Sequence, residues 1–155
     1  MSSRTGACTM LTADLSRIEL IEEISELDDR EHLRFGFPLS SAGGTASTAA
    51  VYFELDPGRR VGRHTDSAEE VLVVLEGTAE AVVGDERRAA GAGTLVVVPA
   101  MAPHEVTNVG DGPLRVLGVF SSATVVSTFE RPAAPGAEQV FVAGAPVPLA
   151  APLPG

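Results

Sequence analysis

The sequence predicts an all-β protein of antiparallel type, a sandwich or barrel, and three observations predict it. Runs of strand character recur about every eight to twelve residues from Ser47 to Phe129, with turn residues between them, which is the spacing of such folds. Sixteen glycines and eleven prolines are spread along the chain, the punctuation of short strands joined by tight turns. Valine, glycine and proline are prominent, and Thr94 to Val98 is almost wholly β-branched.

Taken in order, residues 1–13 are expected to be disordered or loosely attached. Between Asp14 and Leu27 two readings stay open. Leu15, Ile18, Ile21 and Ile24 fall at helical spacing among acidic residues, but short strands fit as well. Phe35, Phe37 and Leu39 alternate like an edge strand, with Pro38 at its limit. Gly43-Gly44 interrupts the pattern. Ser47 to Leu55 reads as a strand, and Asp56-Pro57-Gly58 is a turn in which Gly58 can take a positive φ. Glu70 to Leu75 is a near-continuous apolar run, as in a strand buried on both faces. Thr78 to Val83 and Glu86 to Ala89 flank Gly84-Asp85, a hairpin signal. Gly91 and Gly93 bracket the next turn, and Thr94 to Val98, Glu105 to Val109, Leu114 to Phe120 and Ala123 to Phe129 complete the strands. From Arg131 onward proline and alanine dominate around one short apolar strand, Gln139 to Ala143. Pro146 to Gly155 is expected to be extended or disordered. The organisation is thus one barrel over residues 14–130, with a motif core at 47–120, a disordered N-terminus at 1–13 and a Pro/Ala-rich extension at 131–155.

Composition narrows the function. A chain of 155 residues suits one domain with its own core. Its net charge of −10 argues against nucleic acid and anionic membrane as partners, since both need a basic surface. Tryptophan is absent, which removes the best platform for stacked bases. The single cysteine, Cys8, has no internal partner for a disulfide. No window approaches the roughly 20 apolar residues of a membrane span, and no apolar core of signal-peptide type opens the chain. A reduced, cytoplasmic protein is expected.

Two stretches carry the chemistry: Gly58 to Glu70, and Pro99-Ala100-Met101-Ala102-Pro103-His104. They contain two of the three histidines, each near the start of a run with strand character. With Glu70 they supply the ligand types of a mononuclear metal site. Residues two apart on a strand share a face, so His64 and Asp66 can both look inward. An uninterrupted strand would bring Glu70 to that face and turn Glu69 outward, whereas a bulge at Ser67-Ala68 would reverse this. His32 lies outside both stretches and reads as a surface or packing residue. Arg59, Arg60 and Arg63 read as solvated turn charges, with Arg63 also placed to meet an anionic substrate.

These residues resemble the cupin superfamily. Its first motif is matched in spacing by Gly58, His64-Thr65-Asp66, Glu70 and Gly77, and its second by Gly93, Pro99, Met101, His104 and Asn108. The segment between them, Thr78 to Ala92, is short, as in small single-domain bacterial cupins of the quercetin dioxygenase-like kind. There are two departures. Met101 stands where the motif has a glycine, and Asp66 stands where it has a second histidine. The resemblance implies a double-stranded β-helix, or jelly roll. It also implies a divalent ion held by His64, Asp66, Glu70 and His104, in place of the usual three histidines and one glutamate.

Two imidazoles and one carboxylate leave positions open for water, oxygen or substrate. With Asp66 added, the charges around a divalent ion roughly cancel, which favours Fe(II) or Mn; Zn remains open, as do Ni and Cu. Asp66 could instead stay off the metal and act, like Glu70, as a general base. The resemblance implies dioxygenase-like chemistry on a small hydrophobic aromatic or enolisable molecule. The same scaffold equally serves a non-redox cyclase, isomerase or decarboxylase, or a metal-free small-molecule binding module. A homodimer is expected from the apolar outer strands.

Overall fold

The structure, a computed structural model, describes residues 8–134 and 138–144. Expectations for residues 1–7 and for Pro146 to Gly155 lie outside the described residues. Twelve strands follow one another along the chain: β1 (Ile21–Ser25), β2 (His32–Leu39), β3 (Ala49–Leu55), β4 (Arg60–Asp66), β5 (Glu70–Glu76), β6 (Thr78–Val83), β7 (Glu86–Gly91), β8 (Leu95–Val98), β9 (His104–Asn108), β10 (Leu114–Phe120), β11 (Val125–Ala134) and β12 (Glu138–Ala143). A single 3-10 turn, Ser41–Gly43, is the only helical element among the described residues. None of their helices is long and apolar enough to cross a membrane.

All pairings are antiparallel, and neighbours run β7-β6-β9-β4-β11-β1-β2-β3-β10-β5-β8, with β12 added to β11. Sequence-distant strands therefore lie side by side, as in a jelly roll. The two motif strands β4 and β9 are neighbours, and His64 pairs directly with His104. Alternation sets the interior. In β9 and β10 every second residue is buried, and the core cluster joins Phe53 and Leu55 of β3, Val61 of β4, Leu72 and Val74 of β5, Val106 of β9 and Val116 of β10. Two-residue hairpin geometry at Gly84-Asp85 pairs Val83 with Glu86. Only Gly84 there has a positive φ, 57°, the pattern of a II′ turn.

Three expectations are corrected or resolved. Phe35 to Leu39 belongs to an inner strand, not an edge, because β2 pairs with both β1 and β3. Pro38 is tolerated inside it since it falls within the register shift between Gly36 and Leu39, where a missing N–H breaks no ladder bond. The segment from Asp14 to Leu27 forms no helix: a turn at residues 15–17 leads into β1. Finally, Glu70 does not continue the strand of His64 and Asp66. A bend at Ser67-Ala68 ends β4, and Glu70 opens β5, so its inward direction comes from the pleat of a second strand.

Candidate metal centre

The centre is built from the start of two strands and the end of a third. His64 on β4, Asp66 two residues on, and His104 at the first position of β9 all point inward and are buried. Their ligand atoms lie within 4.8 Å of one another. His104 Nε2 is 3.1 Å from Asp66 Oδ2, His64 Nε2 is 3.6 Å from the same oxygen, and the two rings are 4.1 Å apart at their centroids. The second motif sets the direction of β9: its turn places Met101 at φ 64°. The glycine expected at this position is thus replaced by a side chain, but the left-handed backbone that glycine favours is kept.

Hydrogen bonds aim the rings. His64 Nδ1 lies 2.8 Å from the carbonyl of Gly62, and His104 Nδ1 lies 2.9 Å from that of Ala102. In neutral imidazoles Nδ1 donates these bonds, so each Nε2 offers its lone pair to the interior, as a metal ligand must. Asp66 is fixed by Ser127 of β11, whose hydroxyl donates to Oδ1 at 2.5 Å. That leaves Oδ2, which is buried and faces His104 Nε2 at 3.1 Å, though neither atom makes a well-aligned hydrogen bond among the described residues. Buried polar atoms without partners are costly. A cation between them would satisfy both, and the donor set of two imidazole nitrogens and one carboxylate oxygen suits a divalent transition ion. The His64, Asp66 and His104 cluster can hold a metal ion.

Glu70 adjoins this trio at the first position of β5. Its Oε1 is 3.5 Å from His104 Nε2, and the residue is 3% exposed. Burial raises its pKa above the usual glutamate range, and nearby Asp66 adds to this, while His104 opposes it. Burial, then the neighbouring His104, pushes His64 down to about 4, so it is neutral near pH 7. For His104 burial also disfavours the charge, but Asp66 and Glu70 outweigh it and push the ring up to about 10. Asp66 is held below its usual value; burial acts against this, and His104, His64 and Ser127 prevail. Without a metal, a proton on His104 therefore takes the cation's place among the carboxylates.

The centre opens on a cavity of about 60 Å3. All six phenylalanines of the chain line it, and Phe129 stacks on His64 at 4.4 Å. Of the Tyr52-Phe53 pair, Phe53 faces this cavity, whereas the Tyr52 hydroxyl accepts a hydrogen bond from Arg115. The lining residues Glu23 of β1, Ser127 and Phe129 escape the sequence reading, as does Gly118 of β10, where an added Cβ would overlap Glu70 Oε2. Only Gly118 carries a local signal, a glycine interrupting an apolar strand. The other singled-out residues do structural work. Asn108 donates to the carbonyls of Leu55 and Gly112. His32 pairs with Glu22, Arg60 with Asp28 and Glu31, and Arg63 with Glu130. Cys8 is exposed.

A family model described as a cupin domain matches residues 51–120, the span from β3 to β10 that contains all four site residues. Among solved structures, the chain is similar to a sugar phosphate isomerase of the cupin superfamily from Silicibacter pomeroyi. The TM-score is 0.61 with 23% identity, covering 77% of this chain and 81% of that one. A putative sugar phosphate isomerase from Acidithiobacillus ferrooxidans matches with a TM-score of 0.60 and 19% identity, over 86% of this chain and 90% of that one. The Lactobacillus farciminis oxalate decarboxylase matches with a TM-score of 0.60 and 24% identity, over 63% of this chain but 31% of the other. The chain thus spans under a third of the oxalate decarboxylases it resembles. At these identities the likeness is one of fold. No curated protein matches the sequence.

Proposed function

Because residues 51–120 match a cupin domain, we propose that the chain is a metal-dependent enzyme acting on a small enolisable molecule, dioxygenase-like in its chemistry. His64, Asp66 and His104 hold a divalent ion, and Glu70 takes the substrate proton. The observation that carries this reading is the convergence of two buried atoms, Asp66 Oδ2 and His104 Nε2, 3.1 Å apart without a well-aligned hydrogen bond, beside His64 at the wall of an apolar cavity. When bound, a divalent ion supplies Lewis acidity toward a substrate oxygen and, if it is redox-active, reactivity with oxygen.

The protein's own residues do the rest. Glu70, with its raised pKa, is tuned toward the range in which a carboxylate both accepts and returns a proton. The phenylalanines hold the apolar part of the substrate and keep water out. The cavity is small and lined mostly by apolar side chains, which suits a small, largely apolar substrate. No lysine or arginine lines the cavity among the described residues, which disfavours a phosphorylated sugar within it.

The test has two parts. Protein purified without chelator is analysed for metal, and short 1,3-diketones are followed for oxygen uptake and, without oxygen, for exchange of the enolisable hydrogen with deuterium. The expected result is one ion per chain, with exchange lost in Glu70→Gln while the ion stays. Exchange without oxygen uptake would identify the non-redox alternative. A chain that takes up none of Fe, Mn, Ni, Cu or Zn overturns the enzyme reading and leaves a binding module.

A further inference from the structure

Strand β1 buries an unexpected residue. Its sequence runs Ile21-Glu22-Glu23-Ile24-Ser25. Ile21 and Ile24 are 54% and 40% exposed, whereas Glu23 is 6% exposed. Side chains alternate across a strand, so a slip of one residue would turn Ile24 inward and Glu23 outward. The chain does not take that register: Glu23 pairs with Leu33 and Ile24 with His32 on β2. Burying an isoleucine stabilises a fold, and burying a carboxylate costs free energy. A strand that does the reverse marks a place where function overrides packing. Glu23 lies on the wall of the apolar cavity, as do Leu33, Phe35 and Val61. Among the described residues, the other polar side chains on that wall are His64, Asp66, Glu70, His104 and Ser127. Those five form the centre or bond to it. Glu23 stands apart, on a strand that carries none of them.

We propose that Glu23 determines specificity: its carboxylate receives a hydrogen-bond donor, an ammonium or hydroxyl group, on the part of the substrate that the centre does not hold. The inference rests on the ion-site reading above and narrows its substrate class to small apolar molecules that carry such a donor. A ligand pocket is mostly apolar and orients its occupant with a few placed polar groups; here those groups form two sets, the centre and Glu23. Glu23 already interacts within the protein, but a carboxylate has about four acceptor positions, which leaves capacity for a ligand. A substrate with a methyl group at this place would desolvate the carboxylate without compensation, and a site built to bond a donor rejects the analogue that lacks it.

Hydroxamates, which grip a metal through two oxygens, test this when titrated calorimetrically into the zinc-loaded full chain. Glycine, γ-aminobutyric and ε-aminocaproic hydroxamates carry an ammonium group to increasing reach, and hydroxyl-capped and methyl-capped chains of equal length complete the set. At the length that reaches Glu23, the ammonium or hydroxyl cap should bind about tenfold or more tightly than the methyl cap, the order of a hydrogen bond to a charged group. Glu23→Gln should abolish the preference for ammonium, and Glu23→Leu should abolish both preferences, with zinc content unchanged in each variant. A zinc-loaded wild type that binds the three caps equally at every length overturns the proposal and leaves the ion site standing. A preference that survives both substitutions also overturns it, because that preference would belong to the carboxylates of the centre. Should neither variant fold, Glu23 is a structural residue and the proposal falls. A wild type that takes up no zinc and binds no hydroxamate overturns the ion site itself, and this inference with it.

Discussion

Replacing His104 by alanine separates an ion ligand from a core filler. The backbone of β9 stays paired on both sides, to β4 and to β6, so the strand should survive. What disappears is the imidazolium near two buried carboxylates, at 3.1 Å from Asp66 and 3.5 Å from Glu70. Stranding buried charge costs about 3–5 kcal/mol. The adjoining cavity gives water access to the vacated space, which argues for the lower end. For a chain of this length about 1 kcal/mol moves the midpoint by about 2–4 °C, so the metal-free variant should melt about 6–12 °C below wild type. A bound ion widens the gap. At about one hundred times its dissociation constant it adds about 2.7 kcal/mol, or about 5–11 °C, to the wild type and nothing to the variant. Thermal unfolding of chelator-stripped protein, with and without Mn, Co, Ni or Zn, measures both effects. An equal ion-induced shift in the two proteins would refute the reasoning, and a variant with no cooperative transition would make His104 a core residue.

Three further outcomes follow from individual residues. In the metal-free protein His104 titrates at about 10 against an ordinary 6.5. Its folded pKa is raised, so its contribution is complete below pH 6.5 and is lost as pH climbs through 10. Urea midpoints taken with chelator across that window should fall for wild type and fall less for His104→Ala, and a steady wild-type midpoint would remove the imidazolium from the account. Asn108→Ala deletes two donated bonds and the one Asn108 accepts from Gly110 N–H. At about 1 kcal/mol each, with buried carbonyls left unpaired, it should lower stability by about 3 kcal/mol in chemical denaturation. Met101→Gly should do the opposite. Met101 is 61% exposed, so little packing is lost, and relief of the left-handed backbone, worth about 1–2 kcal/mol, exceeds the added freedom of the unfolded glycine, about 0.5–1 kcal/mol; a lower midpoint would show that the methionine side chain packs after all.

The parts of the site that could be read from the sequence are those encoded locally. His64 and Asp66 share a face because they are two apart on one strand, and His104 follows a proline-framed turn. Glu70 was placed by motif spacing although the parity argument for it fails, since Ser67-Ala68 bends the chain between two strands. Ser127 and Phe129 have no such local mark. They reach Asp66 and His64 only because β11 pairs with β4, although Ser127 and Asp66 are 61 positions apart in sequence. The same limit explains Phe35 to Leu39. Whether a strand is an edge depends on what arrives beside it, here the short acidic β1, and alternation within the strand does not record its neighbours. At Asp14 to Leu27 the periodic stretch is too short to separate a period of 3.6 from one of 2.

Each ring of the centre is tethered through Nδ1 to the carbonyl two positions upstream, Gly62 for His64 and Ala102 for His104. Those carbonyls belong to the strand start and the turn themselves, so orientation of the imidazoles is settled when the chain folds. Capture of an ion would then require no rearrangement of the walls. Its speed would be governed by how fast the ion sheds water and by the protonation of His104, and its selectivity by a geometry already set before any metal arrives.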